Sequence, residues 1–416
     1  MDIRAAIAVA FGLALCGTLS SRASADESYS QVERGKYLVD AGDCAACHTS
    51  DDSKPFAGGR PIETPFGVLY TSNITPNRRS GIGAWTDDEF YKAMHEGIGR
   101  GGKKLYPAFP YPYFTHLSHE DVGAIRAYLT TIAPVDNSPP PNRLEWPLNY
   151  RFMMTGWNTL FFKDGEYKKN PDKTPEWNRG AYLVEGAEHC GACHTAKNMF
   201  GADKTDHRFE GGNLQHWFAP KLVNDRPDGI GTWSADEIVQ YLKTGRNAKS
   251  GATGPMAEVV KNSTSKLKDG DLHAIAAYLK DLPGTGEQRS ASKTDDKVVA
   301  AGKDIYDASC SACHKSSGEG VPFMFSPLKA SAAVQSGDPT TVIRMVLGGA
   351  RTQVTKDEPT PSTMPAYAWK LSDDEIAAVV TYIRNAWGNS ASSVSASDVK
   401  DVREDIRKDV TASSAQ

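Results

Sequence analysis

The stretch Cys44-Ala45-Ala46-Cys47-His48 decides the fold of this chain, and two further copies of Cys-x-x-Cys-His follow it, at residues 190–194 and 310–314. Cysteines three positions apart share a helical turn, so both thiols can form thioethers to one haem while the adjacent histidine ligates its iron. Zinc sites and redox dithiols also use paired cysteines. Zinc sites usually need a second pair of ligands nearby, and no Cys or His pair follows these motifs at close range. A redox dithiol does not require a histidine directly after its second cysteine. The motifs therefore predict three covalently bound haem c groups and electron transfer as the chemistry.

This interpretation assigns a role to nine motif residues. The predicted thioether residues are Cys44, Cys47, Cys190, Cys193, Cys310 and Cys313, and the predicted proximal iron ligands are His48, His194 and His314. No motif for a nicotinamide, a flavin or pyrroloquinoline quinone is found, and we expect no catalytic residue in this chain.

The N-terminus has the pattern of a secretory signal peptide, residues 1–25. Arg4 gives the positive start, an apolar run follows, and Ala23-Ser24-Ala25 forms a small-residue cleavage site. The seventh cysteine, Cys16, lies within this signal, and Leu15 stands where a lipoprotein signal has a small residue. We therefore expect a periplasmic protein without disulfides, since every remaining cysteine belongs to a haem motif.

The net charge argues against one class of function, and the apolar fraction is consistent with buried haem. The formal net charge is −4, which argues against nucleic-acid binding. The apolar fraction of 39% is modest for three protein cores, and three buried macrocycles would supply the remaining apolar surface.

The motifs divide the chain into three imperfect repeats, which we expect to be all-α and to form three tandem class I cytochrome c domains. Each repeat pairs an opening helix, which delivers the cysteines, with a closing helix downstream. Capping boxes indicate helix starts at Thr86, Ser234 and Ser372. The predicted domains are residues 26–140, 165–285 and 295–390, the linkers are 141–164 and 286–294, and a polar tail covers 391–416. Disorder is favoured for this tail, with a short docking helix as the alternative.

The sixth ligand of each haem iron is expected ahead of the closing helix. Met256 and Met364 stand there in predicted loops of repeats two and three, where a thioether can reach the iron. In repeat one Phe109 occupies the corresponding position, and phenylalanine cannot ligate iron. His116 is the best-placed nearby alternative, while Met94 is expected to be a core residue. Haem one is therefore predicted to be bis-histidine, five-coordinate or ligated by an unidentified residue.

Several stretches around the haem motifs support a family resemblance. They are residues 34–39 (Arg-Gly-Lys-Tyr-Leu-Val), 72–76 (Ser-Asn-Ile-Thr-Pro), 81–85 (Gly-Ile-Gly-Ala-Trp), 105–108 (Leu-Tyr-Pro-Ala), 160–162 (Leu-Phe-Phe) and 177–186. With the motifs, they make the chain similar to the triheme cytochrome c subunit of bacterial membrane-bound dehydrogenases for alcohol, gluconate, sorbitol or fructose. In that family the Pro-Ala loop carries the distal methionine of haem one, so Phe109 breaks the match.

The resemblance implies an electron-transfer subunit with two partners. A large catalytic dehydrogenase subunit would supply electrons from a quinone or flavin cofactor, and ubiquinone or another respiratory carrier would receive them. The protein would lie at the outer face of the cytoplasmic membrane, with the membrane surface as a further contact. Two alternatives stay open: a stand-alone haem enzyme that is peroxidase-like or oxidises sulfur compounds at an open haem one, and a diffusible electron carrier.

Overall fold

The computed structural model describes residues 29–286 and 294–414, so the predicted signal peptide lies outside the described residues. Helices dominate, as the sequence predicts, and four small antiparallel sheets, which it does not predict, lie between them. Within the two described ranges, no helix combines the length and the apolar character needed to cross a bilayer.

Repeat one starts with helix α1, residues 29–41, which leads into the motif helix α2, Cys44–His48. The elements that follow are β1 (Pro61–Thr64), β2 (Gly67–Tyr70), α3 (Asp87–Glu96), β3 (Ile98–Gly99), β4 (Lys103–Lys104), α4 (Tyr111–Phe114), the closing helix α5 (His119–Thr131), β5 (Arg143–Leu144) and α6 (Met153–Phe161). Strands β1, β2 and β5 form one antiparallel sheet, and β3 pairs with β4. Helix α6 and strand β5 lie in the segment predicted as a linker.

Repeat two has the same order of opening, motif and closing helices. Its elements are α7 (Pro175–Tyr182), a π-helical turn (Leu183–Ala187), the motif helix α8 (Gly191–His194), β6 (Gly212–Leu214), β7 (Trp217–Ala219), α9 (Ala235–Thr244), α10 (Gly254–Asn262) and the closing helix α11 (Asp269–Asp281). Strands β6 and β7 form a hairpin. Helix α9 starts at the capping box of Ser234 and Glu237, as predicted.

Repeat three and the C-terminal segment complete the described chain. Their elements are α12 (Asp296–Ser309), the motif helix α13 (Ser311–His314), α14 (Ala332–Gln335), α15 (Thr340–Gly348), β8 (Ala350–Arg351), β9 (Thr363–Met364), the closing helix α16 (Asp373–Asn385) and α17 (Ala396–Ser414). Strand β8 pairs with β9. The preference for disorder in the tail is wrong: α17 packs on α15 and α16, because Val399 and Val402 are buried there.

One glycine in each opening helix explains why the opening and closing helices cross so closely. A Cβ on Gly35, Gly180 or Gly302 would lie 1.8, 1.9 or 2.1 Å from a carbonyl oxygen of the closing helix, far inside van der Waals contact. The next contact in each case is the Cβ of a tyrosine one turn further on, namely Tyr128, Tyr278 and Tyr382. These tyrosines therefore lie between the opening and closing helices of their repeats.

The apolar side chains form two large cores that divide the chain unequally. One core joins repeats one and two, and includes Leu38, Phe114, Leu183 and Leu272. The other contains repeat three together with α17. Repeats one and two therefore pack as a pair around a common interior.

One tyrosine of each repeat reaches across the interface to a carboxylate of the other repeat, an arrangement that we call the tyrosine exchange. Tyr37 of repeat one donates to Asp271 Oδ2 of repeat two at 2.6 Å, and Tyr182 of repeat two donates to Asp121 of repeat one. Each hydroxyl also accepts from the backbone N–H that precedes the other repeat's closing helix, at 3.2 and 3.1 Å. The two contacts are equivalent in position, so the pair has approximate two-fold symmetry.

Each of these two carboxylates also accepts a hydrogen bond from an arginine of its own repeat. Arg34 Nε lies 2.6 Å from Asp121 Oδ1, and Arg179 Nε lies 2.8 Å from Asp271 Oδ1. Each carboxylate therefore receives one arginine from its own repeat and one tyrosine from the other.

Candidate haem-binding sites

The three motif histidines share one hydrogen-bond arrangement. The Nδ1 atoms of His48, His194 and His314 lie 2.6, 2.7 and 3.0 Å from the carbonyl oxygens of Ser72, Pro220 and Ser326. A carbonyl accepts only from a protonated Nδ1, so the lone pair of each neutral ring is on Nε2, the nitrogen that can bind a metal. Burial lowers the pKa of all three rings, which favours the neutral form. The motifs therefore fit a haem iron.

The cysteines of the motifs are also suited to thioether attachment. All six are unpaired thiols, since no disulfide joins them. The pKa of Cys47 and of Cys193 is raised to about 11, mainly by burial, and the nearby Asp43 carboxyl contributes to the rise at both. The motifs of repeats one and two lie close together, because His189 Nε2, directly before the second motif, is 3.4 Å from the carbonyl oxygen of Gly42, two residues before the first.

The two predicted distal methionines lie in different local structures. Met364 is the last residue of β9, ahead of the closing helix, and packs on the core of repeat three. Met256 lies in the first turn of α10, where a loop was predicted, so that part of the prediction is wrong. Its side chain packs on a small cluster with Tyr241 and Val260. Axial ligation by both residues stays a prediction.

Phe109 belongs to a group of packed aromatic rings that reaches into repeat two. The ring of Phe109 lies 5.5 Å from that of Phe114, whose ring in turn meets His189 edge-on at 5.4 Å. His116, the predicted alternative ligand, places Nδ1 2.9 Å from the carbonyl oxygen of Glu185 in repeat two. Met94 is 6% exposed in the common core, as expected for a packing residue.

The residues directly before the first two motifs could not be identified from the sequence. Asp43 and His189 immediately precede Cys44 and Cys190, and both have a positive φ, of 49° and 38°. His189 Nε2 lies 3.4 Å from the carbonyl oxygen of Gly42, so it touches the chain entering motif one. Burial raises the pKa of Asp43 to about 8, and its Oδ1 is buried without a hydrogen-bond partner among the described residues. Only a comparison of the repeats position by position would have drawn attention to these residues.

Helix α10, which carries Met256, contacts both neighbouring repeats. Glu258 accepts from Arg60 Nη2 at 2.9 Å, and Arg60 Nη1 donates to the carbonyl of Ala46 in the first motif helix at 2.6 Å. At the N-terminal end of α10, Thr253 Oγ1 lies 3.9 Å from Met345 Sδ in repeat three. Because of these contacts, helix α10 lies between the other two repeats.

Comparison with known proteins identifies similar sequences over nearly the whole chain. The cytochrome c family profile matches residues 32–133 and 299–387. The gluconate 2-dehydrogenase cytochrome c subunit of Pantoea cypripedii is 39% identical, with 94% of this chain and 93% of that protein covered. The cytochrome c subunit of the quinone alcohol dehydrogenase of Gluconobacter oxydans is 37% identical, with 95% and 87% covered. The fructose dehydrogenase cytochrome subunit of Gluconobacter japonicus is 35% identical, with 89% and 82% covered.

Proposed function

This chain belongs to the family of cytochrome c subunits of dehydrogenases, and on that premise we propose that it binds three haem c groups and conducts electrons for a catalytic subunit. The observation that carries the proposal is the arrangement of the three motif histidines, which all direct Nδ1 to a backbone carbonyl and leave Nε2 free for iron. When bound, each haem iron accepts one electron and releases it again.

The chain's own residues have three tasks in this function. The first task is to bind the haems. Haem one would be bound by Cys44, Cys47 and His48, haem two by Cys190, Cys193, His194 and Met256, and haem three by Cys310, Cys313, His314 and Met364. The carbonyls of Ser72, Pro220 and Ser326 orient the histidine rings. The cores against which Cys44, Cys190 and Cys310 pack would supply apolar side chains beside each haem.

We infer that haems one and two form a closely coupled pair. Repeats one and two have a common core. The contact of His189 with Gly42 and with Phe114 joins the two sites directly. Haem three would exchange electrons with this pair through the region of α10 and Met345.

The donor would be a periplasmic dehydrogenase subunit that oxidises an alcohol, a polyol or a sugar acid. The relatives support this class, since their names refer to gluconate, alcohol and fructose dehydrogenases. The acceptor would be ubiquinone or another respiratory carrier at the outer face of the cytoplasmic membrane. The substrate itself would bind to the catalytic subunit.

Two measurements test this function. The mass of the mature holo-protein should exceed that of the chain by three haems, and fewer than three after correct maturation would contradict the proposed number. The holo-protein, purified with its catalytic subunit, should then show substrate-dependent haem reduction in stopped-flow absorbance and reoxidation by a soluble ubiquinone analogue. Haems that stay oxidised when the catalytic subunit turns over would contradict the electron-transfer role.

A second candidate function depends on Phe109. Without a thioether at this position, haem one has a coordination site open to a small ligand unless another residue fills it. A stand-alone haem enzyme acting on peroxide or on sulfur compounds would use such a site. Turnover of peroxide or thiosulfate by the isolated subunit, lost on Phe109→Met, would favour this candidate over electron transfer alone.

A further inference from the structure

Three potential metal ligands from separate parts of the chain meet beside the C-terminal helix α17. Glu63 lies on β1 of repeat one, His216 lies in the turn between β6 and β7 of repeat two, and Asp409 lies on α17. One ligand atom of each residue lies within 4.8 Å of those of the other two. All three residues are half-buried, and none of them belongs to a haem motif. We call these three residues the junction cluster.

The imidazole of His216 faces two carboxylates of helix α17. Its Nδ1 lies 3.0 Å from Asp409 Oδ1, and its Nε2 lies 4.0 Å from Oδ1 of Asp405, one turn earlier on the same helix. A metal-bound histidine ordinarily directs its second ring nitrogen toward a carboxylate or a carbonyl, which fixes the orientation of the ring. Asp405 is placed for that role, and Lys408 Nζ lies 2.9 Å from its Oδ1.

Arg344 of α15 holds the second oxygen of Asp409. Its Nη2 donates to Asp409 Oδ2, so Oδ1 is the oxygen that faces His216. The guanidinium also lies over the ring of Trp217, the residue after His216, at 4.8 Å. Carboxylates that ligate a metal are themselves hydrogen-bonded in this way. Both His216 and Asp409 therefore have the outer contacts that metal ligands use.

The turn that carries His216 has a left-handed backbone. Gln215 and His216 have φ of 46° and 62°, which two-residue hairpin turns require and which Asn-Gly pairs ordinarily supply. This conformation costs a residue with a Cβ about 1–2 kcal/mol. Thr341 Oγ1 of α15 accepts from the N–H of Phe218 at 3.1 Å and donates to its carbonyl at 2.8 Å. These contacts hold the hairpin, and with it His216, beside repeat three.

Ion pairing alone leaves one member of the junction cluster without a partner. A protonated His216 would donate through Nδ1 to Asp409, whose other oxygen already accepts from Arg344. Among the described residues, the carboxylate of Glu63 forms no hydrogen bond or salt bridge, although it is half-buried beside the other two ligands. A metal ion between the three side chains would bind this carboxylate as well.

We propose that the junction cluster is a zinc site that joins α17 to repeats one and two. Zinc binds imidazole and carboxylate ligands at about 2.0–2.2 Å, which places their donor atoms about 3.3–3.6 Å apart, so small side-chain rotations complete the site. Calcium and magnesium prefer oxygen ligands and suit this donor set less well. Three protein ligands leave one tetrahedral position for water.

The test titrates zinc chloride into the holo-protein, purified without a histidine tag and dialysed against EDTA, in a calorimeter. We expect one zinc ion per chain at this site and much weaker binding of calcium. Glu63→Gln and His216→Asn should each weaken zinc binding roughly tenfold or more, because each removes a ligand. Asparagine tolerates a left-handed backbone, so the turn at 216 should persist.

His207→Asn is the matched control variant. His207 Nδ1 lies 3.0 Å from Glu210 Oε2, the same distance as in the junction cluster, but in the described part of the chain no third ligand completes a group there. This variant should bind zinc as the unmodified protein does.

A second measurement reports the effect of the ion on α17. With free zinc at about 100 times the Kd, tryptic cleavage after Lys408 should slow by up to about 100-fold, because opening of the helix then requires release of the ion. The same zinc should not protect Glu63→Gln.

Four outcomes would overturn the proposal. The first is a holo-protein that binds no zinc. The second is a Glu63→Gln variant that binds zinc as tightly as the unmodified protein, which would indicate an adventitious ion only. Calcium binding as tight as that of zinc would refute the nitrogen ligand. Zinc that binds but leaves cleavage after Lys408 unchanged would show that the ion does not join α17 to the other repeats.

Discussion

The tyrosine exchange between repeats one and two should contribute measurably to stability. Tyr37→Phe and Tyr182→Phe each remove one hydroxyl that donates to a carboxylate and accepts from a backbone N–H. The side chains of Asp121 and Asp271 are only 4% and 14% exposed, so water cannot fully replace the lost donor. Each carboxylate keeps its arginine, which limits the loss.

A hydrogen bond to a charged group contributes about 1.5–3 kcal/mol, so each variant should lose about 2 kcal/mol in free energy of unfolding. The measurement is denaturant unfolding of the holo-protein, followed by far-ultraviolet circular dichroism. A double-mutant cycle then reports whether the two equivalent contacts act independently. Tyr29→Phe is the control, because Tyr29 is 69% exposed. If both single variants match this control, the exchanged tyrosines do not hold the pair together and the reasoning fails.

Three further predictions concern the haem sites and their supports. In the unmodified protein, the near-infrared band of ferric His–Met haem should account for two haems of three, and Phe109→Met should raise the count toward three. A count of three before mutation would show that another methionine fills the site. Gly180→Ala should destabilise the protein by about 1–3 kcal/mol or more, because its Cβ would lie 1.9 Å from a carbonyl, while Gly270→Ala, with open space around it, should not. The pKa of Asp43 is about 8 in the folded protein, against an ordinary value of 3.8. Ionisation of this carboxyl therefore opposes folding, and the free energy of unfolding should fall as the pH rises from 3.8 to 8. Asp43→Asn should therefore flatten this part of the stability–pH profile, and an unchanged profile would exclude Asp43 as its cause.

The features that could be predicted from the sequence are the local ones. The capping boxes at Thr86, Ser234 and Ser372 form as predicted, because each depends on residues three positions apart. The loop predicted at Met256 is instead the first turn of α10, a position where the preceding Pro255 fits a helix well.

The features that could not be predicted depend on contacts between distant segments. The tail is helical because Val399 and Val402 find a buried surface on repeat three, which a weak stripe of apolar residues does not reveal. The exchange of Tyr37 and Tyr182 requires the docking of two repeats in one particular orientation. The hydrogen bond from His116 to Glu185 has the same origin, and it gives this residue a role at the interface of the repeats.

The mutual exchange of tyrosines makes the first two repeats interdependent in evolution. A gene truncated between them would leave each product with a carboxylate that lacks its tyrosine and with half of a common core exposed to water. A substitution that removes either tyrosine or its carboxylate would therefore destabilise both repeats, so selection should act on the two as a single unit. Repeat three has its own core with α17, and a lineage could gain, lose or replace that part while the pair stays intact.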